Sequence, residues 1–335
     1  MKNFYAQIKK RVKSIFNRRI RRAQVSVVVP AYNCEKTIER CLDALLNQSQ
    51  RKIKIICVDD GSKDDTLKIL REYEKRFRRV KVISQKNGGR SVARNVGLQI
   101  VRTKYVMFCD ADDWYEQNMC ENMIDVIERG KANLAICGIK IIYETHSEMK
   151  KRDEEYYKIY YEGVKVVDDE LIDHTDVSVC NKIFRMDVVR KNDIQFPDKL
   201  NNEDYYFYNA YMSVSKTAYY LNQKLYNYVR HEGSIMSDNF DKKKMSIDHL
   251  LVAEKLFQFY RKNGFLEEHR DLFWRQWIAS FWFSYEHSEK KYHKAINERA
   301  KVFLDRYYEK YEPSDLELQK YKKDIITTIN KTEKK

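Results

Sequence analysis

The sequence predicts an α/β fold in which a mostly parallel sheet is flanked by helices and followed by a C-terminal α-helical extension. Five short runs rich in β-branched residues lie between positions 25 and 137. Amphipathic stretches separate these runs, and strands that alternate with helices usually pair in parallel through crossover connections. From about residue 241 onward strand patterns stop, and apolar residues recur only at helical spacing.

Each predicted element rests on its own local pattern. The β-branched runs predict strands at 25–29, 53–58, 80–84, 104–109 and 133–137. Apolar positions three and four apart predict helices at 35–48, 64–77, 90–101 and 115–129. The extension is predicted to form helices at 242–262, 266–286, 290–311 and 314–331. Its WRQWIASFW stretch is interpreted as a helical core, with sugar contact, lipid contact or self-association to a homo-oligomer as alternatives.

The positive charge of the chain is concentrated at its N-terminus. The net charge is +14, from 64 Lys and Arg against 50 Asp and Glu, and residues 1–24 hold nine basic residues and no acidic one. Apolar residues recur there at helical spacing, namely Phe4, Ile8, Val12, Ile15 and Ile20. The segment is therefore predicted to be a basic amphipathic helix on an anionic membrane surface. A solvated packing helix and nucleic-acid binding, the less favoured partner, are the alternatives.

Cysteine spacing and hydropathy indicate the compartment. Seven cysteines are scattered without a C-x-x-C pair, which favours neither a disulfide framework nor a structural zinc site. We find no apolar run near the roughly 18 residues of a spanning helix, and no signal-peptide pattern. The expectation is a cytoplasmic protein, peripheral on the inner face of the cell membrane.

Polar and aromatic side chains follow four of the predicted strands. The four stretches, in strand order, are PAYN, DDGSKDDT, QKNGGRSVARN and DADDW. Ligands of parallel sheets bind beyond the carboxyl ends of the strands, so these stretches are predicted to form one site. The first stretch lacks the G-x-G-x-x-G pattern, which argues against a dinucleotide-binding domain.

Together these stretches resemble the family 2 glycosyltransferases. The match is carried by VSVVVPAYNCEKTIERCLDALLNQS, IICVDDGSKDDT, NGGRSVARNVGL and CDADDW, and NNEDYYF at 201–207 falls where that family places its Glu-Asp pair. The resemblance covers about 25–237. It implies an inverting enzyme of the Rossmann-like GT-A fold that moves a hexosyl or N-acetylhexosaminyl group from a nucleotide-diphosphate sugar, expected to be a UDP-sugar.

The resemblance also implies partners and domain limits. The acceptor would be a glycan or a lipid-linked glycan in cell-surface polysaccharide biosynthesis, and the cofactor would be Mn²⁺ or Mg²⁺. The catalytic domain would span 25–240, with a nucleotide-sugar half at 25–138 and an acceptor half at 139–240. The helix of 1–24 would precede this domain, and the helical region 241–335 would follow it.

The resemblance assigns a set of donor-binding residues. They are Pro30, Tyr32, Asp60, Asn87, Arg94 and Asp110. A carboxylate at a strand end, Asp60 or the less favoured Asp59, can accept the uracil N3–H while Tyr32 packs on the base. Ordinary packing of Tyr32 and a helix N-cap role of Asp60 remain open. Gly88 and Gly89 have the look of a phosphate loop, although paired glycines mark many turns.

Three carboxylates after a buried strand need a compensating positive charge. Asp110, Asp112 and Asp113 follow the apolar run VMFC, and like charges this close repel one another. A divalent cation that bridges two phosphates would compensate them, with Asp110 and Asp112 as metal ligands by the resemblance. Asp113 would complete the shell through water or cap the next helix. His231 is a further candidate metal ligand, with a solvated loop histidine as the alternative.

Inverting transfer also needs a general base. Asp204 in NNEDYYF is the candidate catalytic residue, and Glu203 is the candidate acceptor-binding residue. A surface turn and reversed roles are the alternatives. At the level of whole function, the alternatives are a metal-dependent phosphoryl-transfer or hydrolytic enzyme and a non-catalytic basic module that binds membrane or nucleic acid.

Deletion of residues 1–24 tests the membrane interpretation. The truncated chain should no longer sediment with anionic vesicles, because the segment carries both the apolar face and the positive charge. Slow hydrolysis of the donor should persist, since the segment supplies location rather than chemistry. Neutral vesicles and the full-length chain serve as controls. Unchanged binding to anionic vesicles would place the anchor elsewhere in the chain.

Overall fold

The computed structural model describes residues 23–145, 147–231 and 247–333. The predicted helix of 1–24 therefore lies outside the described residues except for its last two positions. The described chain divides into two compact units. The first comprises 23–145, 147–167, 176–199 and 214–230, and the second comprises 168–175, 200–213, 231 and 247–333. The predicted domain boundaries at 24, 138 and 240 stay predictions.

Within the described residues, nine strands form one mixed sheet in the first unit. They are β1 Val25–Ala31, β2 Ile53–Asp59, β3 Val80–Ser84, β4 Tyr105–Phe108, β5 Trp114–Tyr115, β6 Leu134–Tyr143, β7 Gly163–Val166, β8 Lys182–Arg185 and β9 Thr217–Arg230. The order is β3-β2-β1-β4-β8-β6-β9-β5, with β7 also paired to β9. The four strands β3-β2-β1-β4 are mutually parallel, so their carboxyl ends lie at one edge.

The helices follow the predicted alternation. They are α1 Ile38–Leu46, α2 Thr66–Arg76, α3 Arg90–Ile100, α4 Met119–Arg129, α5 Lys150–Tyr156, α6 Asp169–Asp173, α7 Met186–Lys191, α8 Glu203–Met212, α9 Asp248–Asn263, α10 Arg270–Glu286, α11 Lys290–Tyr307 and α12 Leu316–Glu333. Helix α3 lies so close to the central strand β1 that a Cβ on Gly97 would come within 2.4 Å of Val28 Cγ1. The close approach of α3 to the strand therefore requires glycine at this position.

The predicted α/β architecture is confirmed, with local corrections. The predicted helix 115–129 begins only at Met119, because Trp114 and Tyr115 form β5 and pair with β9. Strand β6 continues past the predicted 133–137 to Tyr143 by pairing with β9. The predicted helix 290–311 ends at Tyr307 and is followed by a 3₁₀ turn. In the predicted helix 242–262, residues 242–246 lie outside the described residues.

The second unit is helical and has an aromatic core. It contains α6 and α8 together with α9–α12. Trp274 and Trp277 are buried, and the Trp277 ring stacks on Phe303 with 5.2 Å between ring centroids. The interpretation of WRQWIASFW as a helical core is confirmed for these two tryptophans, whereas Trp282 is half-buried. Across the described ranges, no helix combines the length and apolar character that crossing a bilayer requires.

Candidate functional site

The loops after β1 and β2 are tied together by reciprocal hydrogen bonds. The backbone N–H of Asn33 donates to Ser62 Oγ at 3.1 Å, and the side-chain Oδ1 of Asn33 accepts from the backbone N–H of Lys63 at 2.8 Å. A second reciprocal set joins Glu35 to residues 64–65. Asn33 has φ 47°, in the left-handed region that Asn tolerates better than most residues. The two loops therefore support each other at the carboxyl edge of the sheet.

This paired loop presents Tyr32 to solvent. The Tyr32 side chain is 46% exposed directly after β1, while Pro30 within β1 is half-buried. An exposed ring on a braced loop is suited to stacking on a planar group, because aromatic faces gain stability from parallel contact. This arrangement therefore favours a ligand-binding role for Tyr32 over ordinary packing.

Asp60 is buried and holds the glycine loop. Its Oδ1 accepts hydrogen bonds from Gln85 Nε2 at 2.7 Å and from the Gly88 amide at 2.9 Å, and its Oδ2 accepts from the Gly89 amide at 2.8 Å. The amides that gave this loop the look of a phosphate loop thus bind a carboxylate of the same chain. Asp60 is not the N-cap of α2, which is Asp65. Asn87, which directly precedes Gly88, is exposed.

Asp59 has a different set of partners. Its Oδ1 accepts from the Ser62 amide at 3.1 Å, and its Oδ2 accepts from Ser84 Oγ at 2.8 Å. The carboxylate is buried and links the ends of β2 and β3. Adjacent aspartates therefore organise two different loops, Asp59 the loop after β2 and Asp60 the loop after β3.

Arg94 supplies the positive charge that the acidic strand end was expected to need. Its Nη2 donates to Asp110 Oδ1 at 2.7 Å, and its guanidinium lies 5.3 Å from the centre of the Phe196 ring. The Arg94 side chain is 2% exposed, whereas that of Asp110 is 39% exposed. A buried guanidinium needs an anionic partner, so Asp110 is oriented by the core while one side of it stays accessible.

Asp113 points into the interior. Its Oδ1 accepts from the Val229 amide at 2.8 Å, and its Oδ2 accepts from the Tyr226 hydroxyl. Burial, followed by the charges of Asp112 and Asp110, raises the pKa of the Asp113 carboxyl well above its usual range. Helix α4 has Asn118 at its N-cap, so the expectation that Asp113 caps this helix is wrong. A part in a metal shell through water stays a prediction. The residue fixes the acidic loop to β9.

The carboxylates of NNEDYYF lie in the second unit, in the first turn of α8. Asn202 precedes them with φ 65°, and its Nδ2 lies 3.1 Å from His249 Nδ1 at the start of α9. Glu203 is buried, at 2% exposure, whereas Asp204 is half-buried. His231, also in the second unit, is half-buried and directly follows β9 in the chain.

Two residues that bind the acidic loop or Asp60 were not singled out from the sequence. Gln85 was visible only as part of the stretch after β3, and Arg40 sits at an exposed position of α1. Gln85 binds Asp60, and Arg40 Nη2 donates to the Asp112 carbonyl at 2.7 Å. A polar residue after a strand was a usable signal for Gln85. Nothing in the local pattern distinguished Arg40 from an ordinary solvated helix residue.

The oxygen ligands of the acidic loop fit a hard divalent cation. Asp110 is partly exposed and Asp112 is half-buried, and carboxylates are the side chains that Mg²⁺ and Mn²⁺ prefer. In the part of the chain that the structure describes, no group of three or more His, Cys, Asp or Glu side chains forms a cation cage. A cation shared with substrate phosphates needs only one or two protein carboxylates, so the residues present fit that arrangement.

Comparisons with known proteins agree on one family. The model of glycosyl transferase family 2 matches residues 26–192. The EpsH protein of Bacillus subtilis is 31% identical over 259 residues, which cover 73% of this chain and 72% of EpsH. The poly(ribitol-phosphate) beta-glucosyltransferase of Bacillus spizizenii is 28% identical over 64% of this chain and only 33% of its own length.

A solved structure shares the fold. Residues 1–349 of TarS from S. aureus, in complex with UDP-GlcNAc, superpose with a TM-score of 0.59. The match covers 85% of this chain and 89% of that chain at 21% identity. The GT-A expectation for the fold is thereby confirmed.

Substitution of Asp60 by Asn tests whether this carboxylate holds the glycine loop. One acceptor oxygen becomes an NH₂ group that faces a backbone N–H, and a buried donor left unsatisfied costs about 1–3 kcal/mol. We expect a lower thermal unfolding midpoint and weaker UDP binding by calorimetry. The exposed Asp65→Asn variant on the neighbouring loop is the matched control. Equal midpoints for the two variants would contradict the assigned role.

Proposed function

Because this chain belongs to glycosyl transferase family 2, and is therefore a glycosyltransferase, we propose that it moves a sugar with inversion from a UDP-sugar to a hydroxyl group of a surface glycan or a lipid-linked glycan. The observation that carries the proposal is the acidic strand end, where buried Arg94 orients Asp110 and Asp112 lies two residues further on. Such an arrangement suits a diphosphate and its counter-ion. It also distinguishes the chain from a basic module without chemistry.

The donor is proposed to lie across the paired loops. Tyr32 would stack on the uracil ring, with Pro30 and Asn87 beside it, because Tyr32 is exposed and its loop is braced. Asp60 already binds the glycine loop with both oxygens, so its proposed role toward uracil includes holding Asn87 in place. The TarS complex with UDP-GlcNAc supports a UDP-sugar, although the sugar itself is left open.

Asp110 and Asp112 are proposed to hold Mn²⁺ or Mg²⁺, with His231 as a further candidate ligand. A divalent cation held there would neutralise the charge that develops on the leaving diphosphate. Arg94 adds a fixed positive charge behind Asp110 at no cost of reorganisation during the reaction. The contribution of the chain is therefore to orient these carboxylates, as Arg94 does for Asp110.

Asp204 is proposed as the general base. The acceptor oxygen forms a bond to the anomeric carbon, the bond from that carbon to the phosphate oxygen breaks, and its electron pair leaves with UDP. Asp204 takes the proton of the acceptor hydroxyl. Its partial exposure supports this assignment over buried Glu203. Glu203 is proposed to bind the acceptor.

The acceptor and the location are proposed from the relatives and from residues 1–24. A relative that acts on poly(ribitol phosphate) favours a cell-surface polymer as the acceptor class. The nine basic residues of the N-terminal segment favour a location at the inner face of the cell membrane. Family membership sets aside the phosphoryl-transfer and hydrolytic alternative, and self-association stays a prediction.

Replacement of Asp112 by Asn tests the cation site. Transfer should be lost while the thermal unfolding midpoint stays near that of the wild type, because the half-buried side chain adds little to the core. The gain in UDP affinity that Mn²⁺ produces, measured by calorimetry, should also disappear. Asp125→Asn on the exposed face of α4 is the matched control. Wild-type turnover of Asp112→Asn in Mn²⁺ would remove the assignment.

Replacement of Asp204 by Asn tests the base. Turnover should fall by about two orders of magnitude or more while UDP-sugar affinity stays nearly unchanged, because proton transfer matters in the reaction and not in donor binding. Asn preserves size, so the loss would not reflect a cavity. Glu203→Gln is the internal control. An inactive Glu203→Gln beside an active Asp204→Asn would reverse the roles, and two active variants would place the base elsewhere.

A further inference from the structure

Arg40 binds the backbone of the acidic loop from a different element. Its Nη2, on α1, donates to the carbonyl oxygen of Asp112 at 2.7 Å. The two residues are 72 positions apart in the sequence, so the bond joins α1 to the loop after β4. A bond to the main chain restrains the loop whatever the Asp112 side chain binds.

The peptide group between Asp112 and Asp113 is restrained at both of its polar atoms. Its carbonyl oxygen accepts from Arg40, and its N–H donates to the Asp110 carbonyl at 3.2 Å. The following side chain, Asp113, is bonded in turn to the Val229 amide. A peptide plane held at the oxygen and at the nitrogen cannot rotate freely, so these contacts restrain the backbone from which the Asp112 side chain projects.

The Arg40 guanidinium is itself oriented on two sides. It lies 4.4 Å from the centre of the Trp114 ring, and its Nη1 is 3.6 Å from Glu144 Oε1. The ion pair is solvent-exposed, so it contributes little alone. The position over the Trp114 ring and the directed hydrogen bond depend on guanidinium geometry, which lysine does not reproduce.

We propose that Arg40 is a positioning residue that fixes the Asp112 carboxylate for the donor diphosphate and its cation. It acts through Asp112 and is assigned no contact with the substrate. The proposal rests on the proposed function, because it presupposes that Asp112 serves the donor. What it adds is that contacts from α1 and from β9 together restrain the loop that carries Asp112.

Calorimetry of UDP with and without Mn²⁺ tests the proposal on the full chain. Arg40→Ala should reduce the Mn²⁺-dependent gain in UDP affinity by about tenfold, because a less restrained Asp112 must then be ordered when the cation and UDP bind. Affinity for UDP without metal should stay unchanged. Arg40→Lys should recover little of the gain. Arg129→Ala is the matched control, because it removes an exposed arginine that also lies over an aromatic ring, on α4.

A double variant shows whether Arg40 acts through Asp112. Arg40→Ala combined with Asp112→Asn should bind UDP in Mn²⁺ no more weakly than Asp112→Asn alone, since residues that act through one another are not additive. Additive losses would overturn the proposal, as would an equal loss of UDP affinity with and without metal. Glu144→Gln should give a smaller loss in the same direction, and it serves if Arg40→Ala folds poorly.

Failure of this inference differs from failure of the proposed function. If Asp112→Asn loses the Mn²⁺-dependent gain and Arg40→Ala keeps it, the role of Arg40 is wrong and the cation site stands. If Asp112→Asn also keeps the gain, the proposed cation site fails and the inference fails with it. A full recovery by Arg40→Lys would show that charge alone suffices, which contradicts a role set by guanidinium geometry.

Discussion

The compensation of buried carboxylates at the carboxyl edge of the parallel strands determines how the surrounding loops fold. Asp59 and Asp60 stand at the end of β2, three further aspartates follow β4, and burial of an ionised carboxylate is costly unless donors or cations satisfy it. Asp60 is satisfied by two backbone amides of the glycine loop, and Asp110 by buried Arg94. Each bond fixes a loop as well as a charge. The conformation of the loops thus depends on where each carboxylate finds its donors.

The sequence was sufficient for strands β1–β4, for the start of β6, for helices α1–α4, for the C-terminal helices and for the identity of the acidic loop. It was not sufficient for the direction of the side chains of that loop. Asp112 and Asp113 share the same local pattern, yet Asp113 is buried because the Val229 amide, 116 residues further along the chain, binds it. No periodicity contains that partner. Strands β7, β8 and β9 were also missed, and the pairing of β9 with β6 shifts register at Gly138. Pairing with β9 also explains why Trp114 and Tyr115, next to the predicted start of α4, form β5.

The C-terminal helices acquire a structural role within the second unit. Helix α8, which carries Glu203 and Asp204, is bonded to α10 through Asn209 Oδ1 and Gln276 Nε2 at 2.8 Å. Its N-terminal side is bonded to α9 through Asn201 and Asp248. Helix α10 therefore supports α8 through Gln276, the residue before buried Trp277. The sequence suggested a helical core at this position but did not connect that core to the Glu-Asp pair.

Adjacent acidic residues in this chain differ in role because their neighbours differ, and the same reasoning applies in both units. Asp59 and Asp60 are both buried, but they organise different loops. Glu203 is buried beside half-buried Asp204, although one helical turn holds both. A carboxylate whose oxygens are committed to its own chain stabilises a loop, whereas one that keeps solvent access remains available to a ligand or to a proton. Exposure and bonding partners, more than residue type, therefore separate the candidate chemical groups from the structural ones.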